Sequence, residues 1–202
     1  MKRYIILFLL LTAYAVFVAP GAQNADDPFL SAIIDGRIQD LNPLTVAVFT
    51  MLGIYPLLFL FLLLPKDTRR VPAWLFALFS FGLGAFTILP YMAVRGRKTR
   101  ETPRGPRFLQ HALTHPAAYL LAGIAGAAVL LSALGGSVSG YIEDFQQSHL
   151  VSVMSIDFLV VVWLAYDILK REWGVERYAW LAFIPAVGPA LLLWMNRRQA
   201  AD

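Results

Sequence analysis

Residues 41–65 read LNPLTVAVFTMLGIYPLLFLFLLLP, twenty-five positions without one formally charged side chain. At about 1.5 Å per residue, a helix needs about 20 apolar residues to cross the roughly 30 Å hydrocarbon core of a bilayer. This stretch is long enough, and five further segments nearly free of Asp, Glu, Lys and Arg surround it: Tyr4–Pro20, Val71–Val94, Pro116–Leu134, Leu150–Tyr166 and Tyr178–Asn196. Lipid offers no partner to an unpaired backbone N–H or C=O, so each segment is expected to be helical. The composition agrees. The chain has 202 residues, 58% hydrophobic and 15% charged, with a mean hydropathy of +0.62; a soluble domain has roughly 45–50% apolar and about 25% charged residues. That balance excludes a soluble globular enzyme and a disordered chain. The absence of cysteine excludes disulfides, thiolate nucleophiles and Cys-ligated metals. The expected fold is all-α: a single polytopic integral membrane bundle over residues 1–202 with about six hydrophobic segments.

The first segment follows Lys2 and Arg3 and ends among the small residues Ala19, Gly21 and Ala22, a layout shared with secretory signal peptides. Pro20 makes cleavage there poor, so residues 1–20 are expected to be an N-terminal anchor or uncleaved signal.

Lys and Arg collect in cytoplasmic loops. Six strictly alternating crossings from an inside N-terminus would put 7 of the 17 cations inside and 10 outside. If residues 71–94 and 178–196 are instead broken or re-entrant, returning to the side they came from, 16 lie inside and only Arg37 outside. The acids Asp26, Asp27, Asp35, Asp40, Glu143 and Asp144 then all fall outside. Both stretches carry breakers, Gly82 and Gly84 in one, Pro185, Gly188 and Pro189 in the other. An ordinary proline-kinked crossing is the competing expectation. The basic loops are expected on the cytoplasmic or stromal side of a bacterial inner or thylakoid membrane.

The two halves echo one another. Arg69-Arg70-Val71-Pro72-Ala73-Trp74-Leu75 opens one broken stretch and Glu176-Arg177-Tyr178-Ala179-Trp180-Leu181 the other. A unit of helix, basic turn and broken helix is thus expected at 42–97 and again at 149–198. Many transporters place a site at such a repeat interface; a duplicated hairpin without transport, or coincidence, would leave the same trace.

Asp157 is the acid within a hydrocarbon segment, where a charge costs about 2.5–3.5 kcal/mol on insertion scales. It is expected either to be packed against Ser155 or Thr50 or to serve as an acid, a base or a ligand-binding group. Asp167 precedes Arg171 by four residues, the spacing of a helical ion pair. His111 and His115 share that spacing and could offer two imidazoles to a metal, but a third ligand is hard to find and no metal is expected. Residues 95–116 form a basic interfacial loop. Arg95, Arg97, Lys98, Arg100, Arg104 and Arg107 are expected to meet anionic lipid head groups while Phe108, Leu109 and Leu113 dip inward. Beside a bilayer these cations do not indicate nucleic acid. Ala118, Ala122 and Gly126 recur every fourth position as a helix-packing face, against this chain or another membrane protein. Tyr4, Trp74, Tyr91, Trp173, Tyr178, Trp180 and Trp194 mostly mark segment ends, as an aromatic belt does. No phosphate-binding glycine loop, paired carboxylates at helical spacing or serine elbow is present.

Several of these pieces carry a family resemblance: Tyr55-Pro56; Gly84-Ala85-Phe86 with Leu89-Pro90-Tyr91 and Arg95; Ser155-Ile156-Asp157-Phe158; and Ile184-Pro185 with Gly188-Pro189-Ala190-Leu191. Over about residues 28–196 the chain resembles a family of small multi-pass membrane proteins of cyanobacteria and plastid-bearing eukaryotes. Leu192 and Asn196-Arg197-Arg198 depart from that family's Tyr and Arg-Pro ending. A more distant similarity, through Asp157, is to neoxanthin-synthase-type membrane proteins of carotenoid metabolism. The resemblance implies a photosynthetic membrane. A chain rich in packing features and poor in reactive groups is expected to be a non-enzymatic accessory or assembly factor acting through protein or pigment contacts. No cofactor is expected beyond a bound pigment or lipid. The alternatives are a membrane enzyme of isoprenoid, carotenoid or lipid metabolism using Asp157, and a small transporter.

Overall fold

The computed structural model describes residues 2–20, 27–96, 99–103 and 107–197, without the side chains of residues 107 and 109. Gly21, Ala22, Asp26, Arg97, Lys98, Arg104 and Arg198 lie outside the described residues, as does the side chain of Arg107. Among the described residues the regular structure is helical and no strand occurs. In chain order the helices are α1 (Lys2–Ala13, continued by a π turn over Tyr14–Val18), α2 (Pro28–Ile34), α3 (Pro43–Leu63), α4 (Ala73–Leu83), α5 (Ala85–Val94), α6 (Arg107–Thr114), α7 (Pro116–Ala133), α8 (Val138–Gln147), α9 (His149–Glu172) and α10 (Val187–Met195). A 3-10 helix at Ala179–Phe183 precedes α10.

The stretches Pro43–Lys66, Pro116–Ala133 and His149–Glu172 are long and apolar enough to cross a membrane, which supports an integral membrane protein. Local chemistry starts each of them. Asn42 Oδ1 accepts from the Leu44 N–H at 3.2 Å, with Pro43 in the first turn. His115 Nδ1 accepts from the Ala117 N–H at 3.2 Å before Pro116 opens α7. Ser148 Oγ accepts from the Val151 N–H at 3.0 Å. A capping oxygen or nitrogen satisfies one of the four N–H groups a helix start leaves unpaired, and proline has no N–H there to waste.

Contacts at the helix ends set the directions. α3 and α9 run the same way. Trp173 Nε1 donates to the Leu62 carbonyl at 3.1 Å and Lys66 Nζ to the Glu172 carbonyl at 2.7 Å, whereas at their other ends Thr45 Oγ1 donates to Asp144 at 2.6 Å. α7 runs against them, with Tyr119 edge-on to Phe61 at 5.4 Å and Gly136 against Asn42 and Leu44. α1 also opposes α9: Arg3 pairs with Asp167 and Tyr14 with Ser152.

The two breaker-bearing stretches fold back. Phe76 of α4 and Tyr91 of α5 stack at 5.2 Å, although a continuous helix would hold them about 22 Å apart. Arg69 Nη1 donates to the Gly96 carbonyl at 2.9 Å, closing the mouth of this hairpin. In the second stretch the chain reverses at 184–186, and α10 runs back along α7. Ala186 sits against Gly126, Ala190 against Gly123, and Trp194 beside Tyr119. Both hairpins therefore open at the end of the bundle that holds Arg3, Lys66, Arg69, Arg95 and Arg171, while Asp27, Asp35, Arg37 and Asp144 gather at the opposite end.

The breaks are placed differently from the sequence expectation. Gly82 lies inside unbroken α4, and the interruption falls at Gly84. Gly188 and Pro189 belong to the first turn of α10, where proline is tolerated; the break there involves Pro185 and Ala186. The small-residue face of α7 meets its own chain. Ala122 and Gly126 are buried and Ala118 half-buried, and the small side chains let α10 approach closely. The short helices α2 and α8 were not anticipated from the sequence; they cover the acidic end.

Candidate functional site

The residues that interrupt the first hairpin also create a site. Gly84 has φ 48° and ψ −128°, backbone that a side chain makes costly. α5 then starts in the apolar interior with unpaired N–H groups and the positive end of its dipole. Asp157 of α9 answers both. Its Oδ1 accepts from the Ala85 N–H at 2.9 Å, among the described residues its one hydrogen-bond donor, and the side chain is 5% exposed. Its Oδ2 lies where a Cβ of residue 84 would stand, so glycine at 84 is required by space as well as by dihedral angles.

Asp157 also lines a cavity of about 540 Å³ between α3, the α4–α5 turn and α9. Phe49, Phe81, Leu83, Phe86, Leu150 and Met154 make it largely apolar. Gly53 and Gly82 make it roomy, since a Cβ on either would meet nothing within 4 Å. Two hydroxyls reach the wall, but each is committed to its own helix: Thr50 Oγ1 donates to Val46 O at 2.8 Å and Ser80 Oγ to Ala77 O at 2.7 Å. A carboxyl group with one oxygen occupied is thus the strongest polar feature of an apolar chamber. It can accept a hydrogen bond when ionised, and donate one as well when protonated. Thr87 Oγ1, 3.2 Å from Phe76 O and 3.1 Å from Gly84 O, ties the two arms beside it.

The neighbours expected for Asp157 are therefore replaced. Ser155 donates to Val151 O at 2.5 Å and pairs with Tyr141, and Thr50 bonds within α3, so neither reaches the carboxylate. Asp167 does pair with Arg171 at 3.0 Å, and it also receives Arg3 at 2.6 Å and Tyr4 Oη at 2.7 Å. His111 and His115 stack ring edge to face at 6.1 Å, but His115 lies in extended backbone between α6 and α7 as the cap of α7. No group of three or more metal-ligating side chains occurs among the described residues.

Arg95 differs most from its expected place. It is buried and ion-paired with Glu172, whereas the lipid-facing reading needs it exposed. Arg69 approaches the same carboxylate at 3.7 Å. Arg100 and Phe108 are exposed, and Leu113 is buried in the protein core. The Glu172 cluster escaped sequence reading because its members are far apart along the chain. The signal available was an acid ending a long apolar helix directly after Lys170 and Arg171.

Comparison with protein-family models, with curated proteins and with solved structures returns no match.

Proposed function

We propose that this is a multi-pass membrane protein that acts by holding an apolar molecule, a lipid or an isoprenoid pigment, in the Asp157 cavity, with a hydroxyl or carbonyl of that molecule turned to the carboxyl group. The observation that carries this reading is a single intramembrane acid lining a largely apolar chamber of about 540 Å³, within the size range of small-molecule pockets. An acid in a membrane segment is a functional hypothesis by default. In this reading the basic end faces the cytoplasm or stroma, α1, α3, α7 and α9 cross, and the two hairpins re-enter from the basic side, consistent with the cation bias of cytoplasmic loops. The protein then serves as a non-enzymatic accessory or assembly factor, and a photosynthetic membrane is the setting its resemblance implies.

The test is extraction of the full chain, purified in mild detergent, for organic-soluble molecules. One apolar species is expected at near-stoichiometric amount. Gly53→Phe, which fills open space, should expel it while leaving the helical content unchanged. Recovery of no such species, or equal recovery from Gly53→Phe, overturns the proposal.

A second reading, an enzyme of isoprenoid, carotenoid or lipid metabolism, is favoured by Asp157 itself lining the chamber, where it could move a proton to or from an occupant. Asp157→Asn keeps an oxygen for the Ala85 N–H and removes the titrating proton. Conversion of the extracted species by wild type and not by this variant would establish catalysis.

A further inference from the structure

Two further cavities lie on another side of α9 and do not involve Asp157. The first, about 640 Å³ at the basic end, is lined by Lys2, Arg3, Arg69, Arg95 and Arg171, with Glu172 as its carboxylate. Asp167 takes Arg3 and Arg171, and Glu172 takes Arg69 and Arg95. With buried Asp67 also close to this cluster, five cations stand against three acids, a surplus of two positive charges in a partly enclosed space. Arg3 is held in place by Asp167 and Tyr4, to both of which it donates through Nη2. Its guanidinium lies over the Tyr4 and Trp163 rings, and among the described residues its Nε and Nη1 make no hydrogen bond and suit the forked recognition of an oxyanion.

The second cavity, about 460 Å³, runs between α1 and α9 along Ile6, Leu7, Ile156, Leu159, Val160 and Trp163. Its walls are nearly all apolar, and Ile6 and Leu159 face outward from the bundle. Arg3 lines both cavities. A cationic chamber joined at one arginine to an apolar groove matches a ligand with an acidic head and a hydrocarbon tail. Basic pockets between membrane helices recognise lipid head groups in this way.

We propose that the two cavities together form a binding site for an anionic phospholipid, its phosphate among Lys2, Arg3 and Arg171 and one acyl chain along α1 and α9. Charge complementarity selects the head, and the apolar groove distinguishes a lipid from a soluble phosphate compound.

The test uses the full chain in mild detergent, titrated with phosphatidylglycerol and, as control, phosphatidylcholine, with bound lipid counted by native mass spectrometry. Lys2→Gln removes an exposed cation without touching either ion-pair cluster, and it should weaken phosphatidylglycerol roughly fivefold, the value of one basic side chain near an anionic lipid. Val160→Trp, which fills the groove, should weaken it at least as much, and Lys2→Gln should leave phosphatidylcholine unchanged. Displacement by millimolar inorganic phosphate, with Val160→Trp silent, would overturn the lipid assignment in favour of a soluble phosphate ligand. Equal loss of both lipids in Lys2→Gln, or no loss in either variant, would overturn the site altogether. Unfolding temperatures of the two variants, expected to match wild type, separate lost binding from lost fold.

Discussion

The two hairpins enter the bundle from the same end and face the same difficulty, since a helix restarted in an apolar interior exposes unpaired N–H groups. They meet it in opposite ways. At the start of α10 the first-turn N–H groups find carbonyls of their own stretch, and the Ala186 N–H before them faces the Tyr55 hydroxyl of α3. The Val187 N–H donates to Pro185 O at 2.6 Å and the Gly188 N–H to Ile184 O at 2.9 Å, Pro189 has no N–H, and the Ala190 N–H donates to Ala186 O at 3.1 Å. The requirement is a positive φ of 57° at Ala186, a γ-turn conformation that is rare outside glycine. At the start of α5 the chain recruits a carboxylate from another helix, and the recruited group opens onto a cavity. A self-satisfied turn can be packed tight, and Gly188 against Leu181 is. A turn satisfied by a carboxylate from outside leaves an ionisable group in the apolar interior, beside a cavity.

The comparison breaks most visibly at glycine. Gly84→Ala should cost about 3 kcal/mol or more, joining positive-φ strain to collision with Asp157. Gly188→Ala should approach that cost by a different route, because its Cβ would run into the Leu181 backbone carbonyl. Denaturant titration of both, alone and combined with Asp157→Ala, separates the mechanisms. A coupling of about 1 kcal/mol is expected for 84 with 157 and none for 188 with 157. Equal coupling at both sites would mean that Asp157 supports the bundle generally and does not specifically pin α5.

Asp157→Ala alone should cost about 2 kcal/mol, the penalty of leaving the buried Ala85 N–H without an acceptor. Asp157→Asn should cost distinctly less, since an amide oxygen can take the same N–H. If the alanine and asparagine variants unfold alike, the hydrogen bond is not what holds α5 in register.

Sequence made the long helices legible because crossing hydrocarbon is a demand on composition and length, and α3, α7 and α9 satisfy it outright. It also singled out Asp157 and the small face of α7, both conspicuous by residue type. The partner of Asp157 was hidden, since the Ala85 N–H belongs to every residue but proline and becomes special only when a helix starts there. Spacing could not choose between Gly82 and Gly84, two positions apart in the same apolar run. Arg95 read as a lipid-facing cation because its counter-charge, Glu172, lies on a helix far along the chain. α2 and α8 escaped because they are short, 7 and 10 residues, with no length rule to reveal them.

The smallest effect, and a calibration for Asp157, comes from the acidic end of the bundle, where Asp27 performs the same capping task outside the spanning segments. Its carboxylate accepts from the Phe29 and Leu30 N–H groups, both at 3.0 Å, and from Ser148 Oγ and the Leu150 N–H at 2.8 and 3.0 Å, joining the starts of α2 and α9. Burial pushes its pKa upward, but donation from Leu150, Leu30, Ser148 and Phe29 outweighs this and holds it below the usual carboxylate range. A folded-state value below the unfolded one stabilises the protein above the ordinary pKa, and the contribution drains away as pH falls through the depressed value. Asp27→Asn keeps one acceptor and cannot ionise, so it should be less stable than wild type by about 1 kcal/mol near neutral pH, the typical worth of a cap. The gap should close as the medium is acidified through the carboxylate range. Paired unfolding curves across that range measure it. A gap that stays constant would show that geometry alone makes the cap, and would remove the reason to expect a carboxylate, over an amide, at the start of α5.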